Sequence, residues 1–221
     1  MFLTRFTIDP TRRGARKLLA SPQAMHAAVR AAFPSPEDYE RPGVRTLWRL
    51  DTKAGGDIHL YLASPGRPDL AHLVDQAGRA TEEAWTTRPY AGLLASLRIG
   101  QRWTFRLTAN PTHSGRKTPE AKDTQRFGRL RADEQVQWLM NRSARHGFTV
   151  ATQQDGQPNL TLHRRQTLSF RRGLHTVTLT TATYDGVLDV TDADAFRRAL
   201  TGGIGHAKAY GCGLLTIAAA T

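Results

Sequence analysis

The order in which hydrophobic periodicities follow one another constrains this chain most. Phe2, Thr4, Phe6 and Ile8 alternate with Leu3, Arg5 and Thr7, the period-two pattern of a half-buried strand. Ser21-Pro22 then offers a helix cap followed by proline at the first helical position. Met25, Ala28, Val29, Ala32 and Phe33 recur at helical spacing until Pro34 ends the segment. Residues 35–45, with two prolines, a glycine and mixed charge, read as a loop. Strands are expected over 46–50 and 58–62, joined through Gly55-Gly56-Asp57, which is a hairpin signal. A helix is expected over 69–76. The order is β-α-β-β-α, and a closing strand near 80–87 or 98–100 completes a ferredoxin-like unit.

A similar order follows. Trp103, Phe105, Leu107 and Ala109 share one face of a strand over 102–109. Residues 110–132 are polar, basic and poor in apolar side chains, and read as a mobile loop. Asp133 is placed to cap a helix carrying Val136, Leu139 and Met140, stopped by Gly147. Strands are expected over 148–151, 160–162, 167–170, 176–183 and 187–190, with Arg171-Arg172-Gly173 at a hairpin tip. Asp192 opens a last helix over 193–200, and a strand over 213–218 follows. The fold class is therefore α+β, two tandem ferredoxin-like (RRM-like) βαββαβ domains. The expected boundaries are 1–88 for the first domain, 89–98 for a linker and 99–221 for the second.

Between the last helix and strand, residues 201–215 hold five glycines and Lys208. Glycine permits positive φ and close backbone approach, and a run of amides beside a lysine can form an anion-binding concavity. The chain carries 31 Lys+Arg against 19 Asp+Glu, a net charge of +12, so a polyanion is the natural partner. The charge is uneven: residues 111–172 hold twelve Lys/Arg against five Asp/Glu, which accounts for seven of the twelve net positive charges. A single cysteine, Cys212, excludes an intramolecular disulfide and a multi-cysteine zinc site. No apolar run of membrane-spanning length occurs, and no signal peptide precedes the first strand, so a cytoplasmic protein is expected.

The segment Gly203-Ile204-Gly205-His206-Ala207-Lys208-Ala209-Tyr210-Gly211-Cys212-Gly213-Leu214-Leu215 resembles the C-terminal glycine-rich signature of the CRISPR repeat-processing endoribonucleases of subtype I-E, the CasE family of the RAMP superfamily. Met25-His26 falls in the first helix, as that family's catalytic histidine does. Residues Phe105 to Pro111 look like the strand opening the family's second domain, and Phe170-Arg171-Arg172 like its arginine-bearing hairpin. The resemblance spans nearly the whole chain. It implies binding of a CRISPR repeat RNA hairpin and metal-independent cleavage at the 3′ base of the stem, leaving a 2′,3′-cyclic phosphate. It also implies partnership with the other subunits of the type I-E interference complex, and no cofactor, metal or membrane.

On this reading His26 is the catalytic candidate, because imidazole alone titrates near neutrality unperturbed and can move the 2′-hydroxyl proton. The family's tyrosine three residues earlier is replaced by Gln23, which cannot act as acid or base. Arg30, one turn on, is placed to stabilise phosphorane charge. RNA-binding candidates are Arg171 and Arg172, with Arg164 and Arg165 extending their face, Lys208, Gly203 and Gly205 in the glycine-rich segment, and Arg116, Lys117 and Lys122 in the long loop. Two alternatives stay open: the glycine segment as a purely structural turn, and the whole chain as a non-catalytic RNA-binding subunit. No aromatic RNP1-type strand is present, which disfavours ordinary RRM stacking of single strands.

Overall fold

The computed structural model describes residues 1–79, 84–116, 118 and 123–220. Its first half runs β1 (Phe2–Ile8), α1 (Arg13–Ala20), α2 (Pro22–Ala31), α3 (Pro36–Tyr39), β2 (Glu40–Arg41), β3 (Val44–Arg45), β4 (Leu47–Thr52), β5 (Ile58–Ser64), α4 (Ala71–Ala77) and β6 (Trp85–Pro89). The strand order β4-β5-β1-β6, antiparallel throughout, is that of a ferredoxin-like sheet. Alternation along β1 works as expected: Phe6 and Ile8 are buried against α1, α2 and α4, while Arg5 stays exposed. Ser21 caps α2, its Oγ accepting from the Ala24 N–H at 3.3 Å, with Pro22 in the first turn. The closing strand is β6, the first of the two expected places.

The second half follows the same plan. α5 (Ala91–Ser96) leads into β7 (Arg102–Ala109), β8 (Thr112–Arg116), β9 (Thr124–Gly128), α6 (Ala132–Ser143), β10 (Phe148–Val150), β11 (Leu160–Arg172), β12 (His175–Val190), α7 (Ala193–Gly202) and β13 (Leu215–Ala219). The sheet order is β10-β12-β7-β13, with β11 continuing beside β10 on the same edge of β12. α6 and α7 cover one face, burying Trp138, Leu139, Phe196, Ala199 and Leu200 in the second core.

Several sequence expectations need correction. Residues 110–132 are not one long loop. β8 and β9 pair as a hairpin there, and alternation is hard to see because neither face of that ribbon enters the main core. Lys117 and Lys122 lie outside the described residues. The N-cap of α6 is Arg131, not Asp133; Asp133 sits in the first turn, ion-paired with Arg131. The four strands expected over 160–190 are two long ones, since a bulge between His163 and Gln166 lets β11 continue through its polar middle. Residues 35–45 hold α3 and the small β2–β3 ribbon, and α1 and α5 went unread.

The helix-free faces of the two sheets meet at a polar seam. Arg49 of β4 is 3% exposed and donates to both oxygens of Asp51 at 2.7 and 2.9 Å. It also donates to the carbonyls of Arg106 and Leu214 and to the Thr216 hydroxyl, at 2.9–3.0 Å. Burial would raise the Asp51 pKa, but the hydrogen bond and charge of Arg49, with Arg106, hold it below the ordinary value. Arg106 in turn grips Asp185 through both nitrogens of its fork.

Candidate active site

Four elements converge at one end of the seam. His26 stands on α2, half buried. Its Nδ1 lies 3.4 Å from the Tyr39 hydroxyl at the end of α3. Its ring meets Tyr39 and Tyr210 edge-on, at centroid distances of 6.3 and 6.1 Å. Tyr210 belongs to the glycine-rich segment, and Phe170 of β11 packs against it at 4.8 Å. An unbroken run of rings therefore links the basic hairpin, the glycine segment, α2 and α3.

Each ring is positioned by local sequence. Ser35 caps α3 as Ser21 caps α2, its Oγ accepting from the Asp38 N–H at 3.2 Å, and Pro36 again follows the cap. That single turn sets Tyr39 into the first core, 4% exposed, against Phe33. The glycine segment reaches His26 because it wedges against β4. A Cβ on Gly203 would stand 2.7 Å from Leu47, and one on Gly211 would stand 2.8 Å from Trp48; both glycines have positive φ. Trp48 completes the joint by donating its indole N–H to the Ala209 carbonyl at 3.1 Å.

Positive charge dominates the electrostatics. Burial lowers the His26 pKa below the ordinary value, and the charges of Arg30, Arg45 and Arg172 lower it further, which favours the neutral imidazole. Arg30 lies over the Tyr39 ring, 5.1 Å from its centroid. Burial raises the Tyr39 pKa and keeps the phenol protonated. When Nδ1–H donates to the Tyr39 oxygen, Nε2 carries the lone pair; among the described residues Nε2 has no protein partner. Such an imidazole can accept a proton from a hydroxyl delivered to it, with guanidinium groups at hand for an adjoining phosphate.

The structure brings His26, Arg30, Gln23 and Arg172 together, with Arg171 beside them at the hairpin tip. Arg171 pairs with Thr176 and Arg172 with His175, and both arginines are exposed around Gly173. Among the described residues the buried Gln23 Oε1 has no hydrogen-bond partner, nor has the buried Arg45 Nε. Several other candidates make contacts within the protein. Arg165 donates to Gln135 and to the Leu130 carbonyl, and Arg164, at positive φ beside the bulge, donates to Thr52 of the first sheet. Lys208 turns inward and donates to the Gly202 carbonyl at 2.5 Å, and burial lowers its pKa. The Gly203 amide donates to Ala199, whereas Gly205 packs beside Trp138. Arg116 is exposed on β8. Sequence reasoning missed Tyr39 and Tyr210; the repeated Ser-Pro cap and a lone aromatic among glycines were their available signals.

Comparison with known proteins identifies the chain's family and fold. The model of the family described as "CRISPR associated protein" matches residues 1–219. CRISPR-associated endoribonuclease Cse3 of Thermus thermophilus is 29% identical over 225 residues, covering 99% of this chain and all of that protein. The structure of Thermus thermophilus Cse3 bound to an RNA representing a pre-cleavage complex superposes with a TM-score of 0.79 at 28% identity, covering 98% of both chains. A chain of a CRISPR RNA-guided surveillance complex in its pre-nicking state shares the fold, with a TM-score of 0.70 at 23% identity over the full length of both chains.

Proposed function

The chain belongs to the CRISPR associated protein family, and from that premise we propose that it is an endoribonuclease cutting CRISPR precursor RNA at the 3′ base of the repeat stem-loop. The observation that carries the chemistry is the half-buried His26 imidazole, its Nδ1 3.4 Å from the Tyr39 hydroxyl, with Arg30, Arg45 and Arg172 close enough to lower its pKa. His26 Nε2 takes the proton of the 2′-hydroxyl upstream of the cut while Tyr39 holds Nδ1. The freed oxygen attacks the adjoining phosphorus and the bond to the 5′-oxygen breaks as that oxygen takes a proton from water, the His26 imidazolium returning its own to solvent. The products are a 2′,3′-cyclic phosphate and a 5′-hydroxyl. Arg30 and Arg172 face the charge that grows on the phosphorane oxygens, a preorganised stabilisation that costs no rearrangement during reaction. Tyr39 supplies from α3 the orienting hydroxyl that Gln23 cannot supply from α2.

The stem is held by the basic hairpin. A-form RNA presents phosphates and 2′-hydroxyls more readily than base edges, and Arg171 and Arg172 stand at the end of an extended ribbon able to reach them. The exposed charge on that ribbon also speeds capture. Chains of this fold occur in CRISPR RNA-guided surveillance complexes, and we assign this protein the same place: it keeps its product and joins the other subunits of the interference complex, in the cytoplasm where the RNA is made. Among the described residues no helix is long and apolar enough to cross a membrane.

The test is cleavage of the cognate repeat hairpin in EDTA. Wild-type protein should leave a 2′,3′-cyclic phosphate. His26→Ala should bind the RNA with unchanged affinity and cut it about 10²–10⁴-fold more slowly, the range for loss of a general base. Tight binding without cleavage by the wild type would leave only the RNA-binding-subunit reading. Cleavage that needs an added divalent ion would defeat the mechanism but not the substrate.

A further inference from the structure

Behind Tyr210, on the side away from the first domain, lies a cavity of ≈ 450 Å³ between the β8–β9 hairpin, β12 and the glycine-rich segment. It is lined by Asn110, Arg126, Phe127, Thr180, His206 and Tyr210 among others. Its volume falls in the range of about 300–1,000 Å³ common to small-ligand sites. Asn110 is 6% exposed, yet among the described residues its Oδ1 has no hydrogen-bond partner. Leaving a buried carbonyl oxygen unpaired is costly unless something absent from the free protein pairs with it.

We propose that this cavity takes one unpaired nucleotide of the substrate RNA flanking the cut, with Asn110 reading the edge of its base. The inference rests on the endoribonuclease reading and deepens it. Four features fit such a guest. A carboxamide offers an acceptor beside a donor, the complement of a base edge carrying a donor beside an acceptor. Tyr210 and Phe127 supply rings, and unpaired RNA bases are held by stacking and by their polar edges. The Arg126 side chain, exposed and lining the cavity, makes no hydrogen bond or ion pair among the described residues and is available to a phosphate. His206 lies close enough to Arg126 that, after burial, that charge lowers its pKa most, so the imidazole stays neutral and can hydrogen-bond a sugar or base. Tyr210 is the shared wall: one side of the residue contacts His26 and Phe170, and another lines this cavity. A base seated here would therefore fix the register of the chain passing His26. Single-strand stacking, disfavoured on the sheet faces, is thus offered by a pocket built from the hairpin and glycine segment.

The experiment uses full-length protein and repeat RNAs carrying one abasic site at each unpaired position around the cut, with affinity and single-turnover cleavage read for each. For wild-type protein, one position should stand out, its abasic RNA binding or reacting about tenfold worse, as expected for loss of a stacked base. Asn110→Ala should lose most of that factor on intact RNA and little more on that abasic RNA, while other positions affect both proteins alike. Arg126→Ala, on an exposed strand, provides a second variant and should weaken the same position if Asn110→Ala fails to fold. Additive effects at every position in both variants overturn the inference. Wild-type protein that leaves every repeat RNA uncut overturns the endoribonuclease reading instead.

Discussion

Two polar regions join the first half of this molecule to the second, and they are built on opposite terms. At the seam, Arg49 and Asp51 are nearly inaccessible, and every nitrogen of the Arg49 guanidinium donates to the protein. Around His26, Arg30 and Arg172 have no carboxylate partner among the described residues, and Arg45 reaches only Glu40, at 3.8 Å. Buried charge persists in a fold only when paired. Charge left under-neutralised beside a half-buried imidazole points to an anion that arrives later. The seam is a joint; the His26 cluster is a socket.

The contrast breaks first at Arg49. Arg49→Ala leaves buried Asp51 with only Arg106, at 3.6 Å, and should cost about 3–5 kcal/mol, the range for one-sided removal of a buried pair. Denaturant unfolding reads this, and Arg49→Met with Asp51→Leu should recover much of it. His26→Ala, in the socket, should unfold within about 1 kcal/mol of wild type because no ion pair is broken. A large loss of stability at His26, or none at Arg49, would show that the two regions had been assigned the wrong roles.

How much of this was legible in the sequence follows from the same division. Local patterns specified what local physics decides: the alternation in β1, the Ser21-Pro22 cap and the Arg171-Arg172-Gly173 tip are each written within a few residues. The seam was invisible, because Arg49 pairs with Asp51 nearby but also with Arg106, Leu214 and Thr216, more than fifty residues away. The socket was half legible. His26 and Arg172 were picked out through motifs, whereas the positions of Tyr39 and Tyr210 depend on how α3 and the glycine segment pack. The inward turn of Lys208 was hidden for the same reason: a lysine among glycines looks free until its loop folds back on Gly202.

The hairpin arginines sharpen the socket's side of the comparison. Arg171→Ala and Arg172→Ala should each weaken repeat-RNA binding roughly tenfold and reduce the slope of log affinity against log salt by about one, as for loss of one phosphate contact. Arg165→Ala should change that slope little and lower stability instead, since its guanidinium holds Gln135 and Leu130. A smaller effect is expected at Tyr39. Tyr39→Phe removes one hydrogen bond to Nδ1, worth about 0.5–1.5 kcal/mol, so kcat should fall several-fold while KM stays put. A purely structural role would move the unfolding midpoint and leave kcat alone.

The smallest effect is on pH. A general base must be neutral, so kcat/KM should fall as pH drops through the His26 pKa of the free protein. That pKa lies below the ordinary 6.5, first through burial and then through Arg30, Arg45 and Arg172. Removing a neighbouring positive charge makes protonation easier, so Arg30→Ala should move the acid limb upward and slow cleavage most at mildly acidic pH. Bound RNA acts in the same direction, its phosphates favouring imidazolium, and the limb of kcat should therefore lie above that of kcat/KM. Any loss on the alkaline plateau of Arg30→Ala measures its separate contribution to the phosphorane. Were the limb to stay fixed while the plateau dropped, the Arg30 charge would act on the substrate alone, and the link between socket charge and imidazole basicity would fail.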